Sequence, residues 1–282
     1  MIFLMLIPCI FTLVFTPICM VIHIIFATTL LYIYKKININ KYSRQNTIEF
    51  WNKPCELLAN IWYKFGRIYH GYEIDGIENI PKNGPAILIL FHPPAPIDAP
   101  FIFSNIFFKL KRKIITVVLR MNFKMPGYKI FAECVGYIPG SRESCISLLK
   151  NGEIILIYPG GSNEGMQAND YELLWKPDAG FAKVAQQAKV PVIPVFTKNT
   201  REVHWILQLP KSIFKIPLGW LPVKLKSYIG EPILYDENRT VQELVSLTKS
   251  SIEKLIKKHQ LHPRSIVYSL LERFMRENKK IN

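Results

Sequence analysis

Ala86-Ile-Leu-Ile-Leu-Phe91 is an uninterrupted apolar run that ends directly before His92. A short continuous apolar run of this kind is typical of a strand buried on both faces of a sheet. Three further runs of similar character follow, at residues 114–119, 154–158 and 190–196. Helical patterns lie between the runs, at residues 141–150 and 179–189. This alternation predicts an α/β fold, with a mostly parallel central sheet flanked by helices.

Helical patterns also lie on either side of this strand region. Residues 43–70 carry apolar side chains at helical spacing, with an interruption near Pro54. Two more helical stretches, at residues 241–259 and 265–276, close the chain. Because neither a repeat nor a linker divides this region, we expect a single domain over residues 36–282.

The N-terminal segment differs from the rest in composition, because residues 1–34 contain no Asp, Glu, Lys or Arg. A membrane span needs about 20 apolar residues, and two full crossings need about 40. We therefore expect a membrane anchor over residues 1–35, either as one tilted span or as a re-entrant hairpin that breaks near Pro17. A cleaved signal peptide is disfavoured, since it has a positive N-terminal region and a shorter apolar core. The cations that follow place the remaining chain in the cytosol under the positive-inside rule; they are Lys35, Lys36, Lys41 and Arg44.

The composition limits the class of protein. Of the 282 residues, 49% are hydrophobic and 20% are charged, which excludes a disordered chain. The five cysteines show no metal-ligand spacing and are too few for a disulfide scaffold. A formal net charge of +15 favours an anionic partner such as a phospholipid surface or a phosphorylated small molecule, and a coding bias toward lysine is the alternative source of this charge. No nucleic-acid-binding motif is present, so we expect no nucleic-acid partner.

His92 and Asp98 are the first candidate site residues. His92 follows a buried strand, and ligand sites in open α/β sheets gather in the loops beyond the carboxyl ends of strands. The prolines at 93, 94 and 96 predict a rigid turn, with Asp98 beginning the next helix. A carboxylate bound to one imidazole nitrogen raises the basicity of the other, which suits a general base. A structural histidine with a capping aspartate is the alternative.

Two further features are candidate substrate-binding sites. The run 154–158 leads into Pro159-Gly160-Gly161, followed by Glu164, and paired glycines let backbone N–H groups approach an oxyanion or a phosphate. Arg142 enters the first turn of a predicted helix, where exposed N–H groups already favour anions. The alternatives are a tight turn without a ligand and a solvated arginine.

Taken in order, four blocks resemble those of the glycerolipid acyltransferase superfamily, which includes the lysophosphatidic acid acyltransferases. The Gly-Gly-x-x-Glu form of the third block is similar to the monoacylglycerol and diacylglycerol acyltransferase branch. The blocks are His92…Asp98, Gly136-x-x-x-Gly-Ser-Arg142, Pro159-Gly-Gly-x-x-Glu164 and Val190-Pro-Val-Ile-Pro-Val195.

This resemblance implies acyl transfer from acyl-CoA to a mono- or diacylglycerol or a similar lipid alcohol. It implies His92 as general base, Asp98 as its orienting carboxylate, and substrate binding by Arg142, Gly160, Gly161 and Glu164. For Glu164 the expected role is to position the acceptor or to support the loop. The resemblance further implies that acyl-CoA is a donor substrate rather than a bound cofactor, that no metal takes part, and that the enzyme works at the endoplasmic reticulum membrane.

The chain departs from the family pattern at two places. Five residues separate His92 from Asp98, where the usual block has four. Gly165-Met-Gln follows Glu164, whereas the enzymes with phosphate-bearing acceptors carry an arginine there, so a neutral acceptor is expected. A lysophospholipid acyltransferase and a non-catalytic, membrane-bound lipid-binding module are the open alternatives. A serine hydrolase using Ser162 is disfavoured, because its nucleophile motif requires glycine where Glu164 stands.

Two other segments combine apolar side chains with lysines. They cover residues 100–113 and 204–221. Such segments either lie in the lipid headgroup layer or pack into the core while their lysines reach solvent. The sequence leaves both interpretations open.

Overall fold

The computed structural model describes residues 16–42, 47–208, 215–263 and 265–275. Its strands are β1 (Glu73–Asp75), β2 (Ala86–Leu90), β3 (Ile114–Val118), β4 (Tyr137–Pro139), β5 (Ile154–Ile157), β6 (Val192–Lys198), β7 (Trp205–Gln208), β8 (Lys215–Leu218) and β9 (Lys226–Ile229). Its α-helices are α1 (Thr16–Ile37), α2 (Ile39–Tyr42), α3 (Thr47–Phe50), α4 (Asn52–His70), α5 (Asp98–Leu110), α6 (Tyr128–Val135), α7 (Arg142–Lys150), α8 (Gly161–Gln167), α9 (Gly180–Ala188), α10 (Val241–His259) and α11 (Ile266–Leu271).

Seven strands form one sheet in the order β1-β9-β6-β2-β5-β3-β4. All neighbouring pairs in this sheet are parallel except β6 and β9, which are antiparallel. The four strands that the apolar runs predict are β2, β3, β5 and β6, and they lie side by side at its centre. The predicted α/β class with a mostly parallel sheet is therefore confirmed. Strands β7 and β8 pair with each other in a separate antiparallel sheet.

The central strands are apolar throughout because both of their faces are covered. On β2, Ala86, Leu88 and Leu90 belong to one hydrophobic core, together with residues of α4, α5 and α6. Ile87 and Ile89 point to the opposite face and belong to a second core, formed with α7, α9 and α10. The alternation of side chains along a strand thus divides a continuous apolar run between two cores.

The predicted helices occur close to their expected positions. Residues 141–150 contain α7, 179–189 contain α9, and 241–259 form α10. The pattern over 43–70 divides between α3 and α4, and Pro54 lies in the first turn of α4, where a helix has no partner for a backbone N–H. Helix α11 is shorter than the predicted stretch 265–276.

Core packing is the correct interpretation of residues 100–113. Phe101, Ile102, Phe103 and Ile106 of α5 are each at most 2% exposed, so these side chains do not contact lipid headgroups. The cation Arg112 is also part of the fold, because its guanidinium donates hydrogen bonds to the carbonyls of Pro81, Gly84 and Gly152.

Helix α1 packs against the α/β domain along one face. Thr28 and Leu31 are buried, and α1 contacts α6. The other face of α1 is apolar and exposed; it carries Ile22, Ile25, Phe26, Leu30 and Ile33. Among the described residues, no helix combines the length and the apolar character that a membrane crossing requires. Residues 1–15 of the predicted anchor lie outside the described residues.

Helix α1 lies in close contact with the turn before α6, and glycine substitutions test this contact. Gly127 has a φ of +78°, and a Cβ there would lie 2.2 Å from Cγ2 of Thr28. Gly84 has a φ of +87°, but a Cβ there would meet open space. Both Gly→Ala changes therefore carry a left-handed strain of roughly 1–2 kcal/mol, and only the change at 127 also displaces α1.

We expect Gly127→Ala to lower the free energy of unfolding more than Gly84→Ala, and to make α1 sensitive to limited proteolysis. Adding Thr28→Ala removes the clashing methyl group and should restore part of the loss. Equal effects of the two glycine changes would show that α1 does not pack as described.

Candidate active site

Glu164 connects two segments at the carboxyl edge of the sheet. Its Oε2 accepts a 2.7 Å hydrogen bond from the backbone N–H of His92, which follows β2. Its Oε1 accepts a 2.9 Å hydrogen bond from the backbone N–H of Leu174, which follows α8. Since both oxygens are occupied and the side chain is 0% exposed, the carboxylate supports the loop, which is one of its two expected roles.

Burial changes the acidity of Glu164. Loss of solvent raises its pKa to about 7, although the N–H groups of His92 and Leu174 oppose this rise by stabilising the anion. Loss of this carboxylate would be costly, because the backbone N–H groups of His92 and Leu174 would then have no acceptor in the interior.

The imidazole of His92 has a defined tautomer. Its Nδ1 lies 2.7 Å from the carbonyl oxygen of Pro93, and because a carbonyl can only accept, Nδ1 carries the proton. Nε2 is then unprotonated and offers a lone pair. Burial lowers the pKa of His92, so the ring is neutral near pH 7.

Asp98 is the first residue of α5, as predicted, but it does not bind His92 directly. Its Oδ1 accepts a 2.8 Å hydrogen bond from the Tyr158 hydroxyl. Within the described part of the chain, no hydrogen bond joins Asp98 to His92. The proline turn accounts for this difference, since its extra residue lets the Pro93 carbonyl take the imidazole N–H. Burial raises the pKa of Asp98, which is 1% exposed, to about 6.

Two glycines leave room for this arrangement. A Cβ at Gly160 would lie 2.5 Å from the carboxyl carbon of Glu164. A Cβ at Gly165 would lie 2.4 Å from the Pro93 carbonyl oxygen and 2.9 Å from Nδ1 of His92. Side chains at either position would therefore displace Glu164 or His92.

Arg142 lies at the start of α7 and is exposed. The Ser141 hydroxyl caps this helix by accepting the N–H of Ser144. Arg120 reaches the same turn, where its Nε donates a 3.1 Å hydrogen bond to the carbonyl of Gly140. This hydrogen bond brings Arg120, which follows β3, to the turn that precedes Arg142, beyond the ends of β3 and β4.

Three residues of the site are not among those predicted from the sequence. They are Tyr158, Leu174 and Gly165. Tyr158 and Leu174 carry no pattern that distinguishes them from other core residues. Gly165 had a signal, because it directly follows the Gly-Gly-x-x-Glu block, and a conformationally free residue beside a buried acid indicates a close approach.

The hydrogen bonds of Glu164 predict a specific cost for Glu164→Gln. An amide of the same shape must turn its NH₂ group toward one backbone N–H, so one hydrogen bond becomes a contact between two donors. We expect the free energy of unfolding to fall by roughly 2–4 kcal/mol in denaturant titrations of the protein in detergent micelles.

The matched control is Glu253→Gln on the exposed side of α10. That change should stay within about 0.5 kcal/mol of the wild type. Equal stability of the two variants would contradict the role assigned to Glu164.

Comparisons with known proteins identify the family of this chain. The family model described as Acyltransferase matches residues 71–198, which contain His92, Asp98, Arg142 and Glu164. A protein of Gallus gallus named "DGAT1/2-independent enzyme synthesizing storage lipids" is 38% identical over 263 residues, covering 89% of this chain and 78% of its own. The Homo sapiens protein of the same name is 36% identical over 279 residues, covering 93% of this chain and 86% of its own.

A solved structure shares the fold. The crystal structure of the 1-acyl-sn-glycerophosphate (LPA) acyltransferase PlsC from Thermotoga maritima aligns with a TM-score of 0.57 at 19% identity, covering 86% of this chain and 99% of that chain. The predicted superfamily and the predicted enzyme class are both confirmed. This chain belongs to the acyltransferase family of glycerolipid type that contains the storage-lipid enzymes, and it is an acyltransferase.

Proposed function

We propose that this enzyme transfers an acyl group from acyl-CoA to the hydroxyl of a mono- or diacylglycerol or a similar lipid alcohol, with His92 as general base. The observation that carries the proposal is the state of the imidazole. Nδ1 donates to the Pro93 carbonyl, so the lone pair of Nε2 is free to take a proton. The lowered pKa of His92 keeps this base neutral at physiological pH.

The proposed reaction transfers the acyl group directly, without a covalent enzyme intermediate. Nε2 of His92 takes the acceptor's hydroxyl proton while the alcohol oxygen attacks the thioester carbonyl. The tetrahedral intermediate then collapses, the C–S bond breaks, and the imidazolium returns its proton to the departing thiolate. Acyl-CoA is consumed as a substrate, and the products are the ester and free coenzyme A.

The glycine pair differs in its capacity to stabilise the oxyanion. The N–H of Gly161 donates a 3.1 Å hydrogen bond to the carbonyl of Tyr158 and is therefore engaged in a turn. The N–H of Gly160, the residue directly before α8, is the better candidate donor, since among the described residues it donates to no backbone carbonyl outside the regular elements. A backbone donor of this kind stabilises the developing negative charge without reorganisation.

Arg142 and Arg120 are the candidate partners of the coenzyme's phosphates. They lie beyond the ends of β3 and β4, and β4 is three strand spacings from β2 in the sheet order. β3 is two spacings from β2, so at about 4.8 Å per spacing Arg120 and Arg142 lie roughly 10 Å and 14 Å from the end of β2 across the sheet edge. The thioester of an extended donor can thus reach His92 while its phosphates contact guanidinium groups.

The loop after Glu164 supports a neutral acceptor. Met166 and Gln167 follow Gly165, so the third block offers no cation to a phosphate headgroup. The nearby Arg201 is engaged, because its guanidinium donates to the carbonyls of Gly165 and Ala168. The names of the relatives, which refer to storage-lipid synthesis, point the same way.

The exposed apolar face of α1 supports a location at a bilayer. We place the enzyme at the endoplasmic reticulum membrane, with the catalytic domain facing the cytosol. Leu119, Met121 and Met125 are exposed just beyond β3, on the catalytic edge of the sheet, and Gly127 in the same segment contacts α1. A lipid acceptor can therefore approach His92 along an apolar surface.

The reaction can be tested with the full chain in phosphatidylcholine vesicles, supplied with oleoyl-CoA and either dioleoylglycerol or lysophosphatidic acid. We expect triacylglycerol from the first acceptor, and a loss of about 10²–10⁴-fold in rate for His92→Ala, because a general base contributes that factor. His262→Ala, which changes an exposed histidine, is the matched control.

Two results would contradict the proposal. A wild-type rate for His92→Ala would exclude His92 as the base. Preference for lysophosphatidic acid would instead exclude the neutral acceptor and favour the lysophospholipid alternative, in which Arg142 or Lys176 binds the headgroup.

The glycine beside His92 gives a further prediction. Gly165→Ala should displace the Pro93 carbonyl and the imidazole, and a misplacement of that size costs on the order of 100-fold in rate. Gly180→Ala at the start of α9 is the control, because a Cβ there faces open space. Both variants should be compared by acyl transfer and by thermal unfolding; full activity of a folded Gly165→Ala enzyme would show that His92 need not occupy this position.

A further inference from the structure

Tyr158 is the residue that contacts both Asp98 and His92. Its hydroxyl donates a 2.8 Å hydrogen bond to Oδ1 of Asp98. Its ring lies against the imidazole of His92, with ring centroids 5.2 Å apart and planes inclined by 70°. The backbone of Tyr158 is also fixed, since its carbonyl accepts the N–H of Gly161.

Asp98 is held on its other side by a chain of buried hydroxyls. The Thr197 hydroxyl is among the groups that lower the pKa of the Asp98 carboxyl, against the larger rise caused by burial, and it lies 2.6 Å from the Ser227 hydroxyl. Tyr72 then donates a 2.6 Å hydrogen bond to Ser227. Thr197 and Ser227 are at most 3% exposed, so this chain belongs to the core. Tyr158 bonds to the same carboxylate and also contacts the imidazole.

We propose that Tyr158 is a positioning residue that links Asp98 to His92, taking the place of a direct His–Asp hydrogen bond. The phenol keeps the carboxylate in its ionised form, and the ring fixes the plane of the imidazole. This inference rests on the proposed function, in which His92 accepts a proton and becomes an imidazolium. The nearby negative charge of Asp98 stabilises that imidazolium.

The charges around the link are consistent with this role. Among the described residues, the charge of Asp98 acts on Tyr72, Tyr137 and Tyr158; burial raises the pKa of each, so all three are neutral, and Tyr158 is the one that donates to Asp98. The group that faces His92 from α8 is Glu164, which bonds to its backbone N–H. Asp98 is therefore the acid to which the Tyr158 hydroxyl donates, and the ring of the same tyrosine lies against His92.

The inference predicts a change in the pH profile of Tyr158→Phe. The hydrogen bond from Tyr158 lowers the pKa of Asp98, so its loss raises that pKa above about 6. The reaction requires ionised Asp98 and neutral His92. In the pH profile of kcat/KM, the fall on the acidic side (the acidic limb) is therefore set by the higher of the two pKa values. The acidic limb of kcat/KM should move to higher pH by about one unit, while the rate near pH 8.5 stays closer to that of the wild type.

A second variant keeps the test valid if Tyr158→Phe does not fold. Replacing Tyr158 with 3,5-difluorotyrosine retains the ring and makes the hydroxyl a stronger donor, so the limb should move to lower pH. Tyr171→Phe is the matched control, since Tyr171 is a buried tyrosine that donates to a different carboxylate, Glu202. The acidic limb of the Tyr171→Phe pH profile should not move, whatever that change does to stability.

The outcomes separate this inference from the function on which it rests. An active His92→Ala enzyme would contradict the proposed base. Suppose that His92→Ala is inactive, but that the acidic limb does not move in folded Tyr158→Phe enzyme or in the difluorotyrosine enzyme. That result would overturn the role of Tyr158 and leave the proposed base intact. A shift as large in Tyr171→Phe would also overturn it, because the effect would then be structural.

Discussion

The pair of hydrogen bonds accepted by the Glu164 carboxylate is the constraint on which the rest of the site depends. It fixes the backbone of His92 at the end of β2 and the backbone of Leu174 after α8. The glycines of the same block follow from it, since Gly160 must leave room for the carboxylate and Gly165 must lie against the His92 turn. The Gly-Gly-x-x-Glu-Gly sequence is therefore a packing solution around one buried acid, and the position of the base is its result.

The second acid of the site does a different job. Asp98 is held by hydroxyl groups and begins a helix whose apolar side chains lie in the core. The five-residue spacing after His92 separates the imidazole from this carboxylate, and the Pro93 carbonyl takes the imidazole N–H instead. A carbonyl selects the tautomer as well as a carboxylate does, but it contributes no negative charge. In the proposed mechanism the negative charge is that of Asp98, and Tyr158 positions Asp98 and His92 relative to each other.

The sequence predicts the centre of this fold better than its edges, for a physical reason. β2, β3, β5 and β6 are covered on both faces, so they are continuous apolar runs that stand out. β1 and β4 are three-residue strands at the two edges of the sheet, and β7 to β9 are short, so none of them has a distinctive pattern. Residues 100–113 were ambiguous because a core helix that ends in cations has the same composition as an interfacial one. The blocks at His92 and Glu164 were visible, whereas the partner of Asp98 depends on the path of a proline turn, which no spacing specifies.

His92 can act as the base through Nε2 only if its Nδ1 carries the proton. Nitrogen-15 NMR of the full chain with labelled histidine, in detergent micelles at pH 8, measures this directly, and the signals missing from His92→Ala identify the residue. We expect a neutral ring with a protonated Nδ1 and an unprotonated Nε2. A ring protonated at Nε2 would contradict this expectation, because that nitrogen would then have no lone pair for the acceptor's proton.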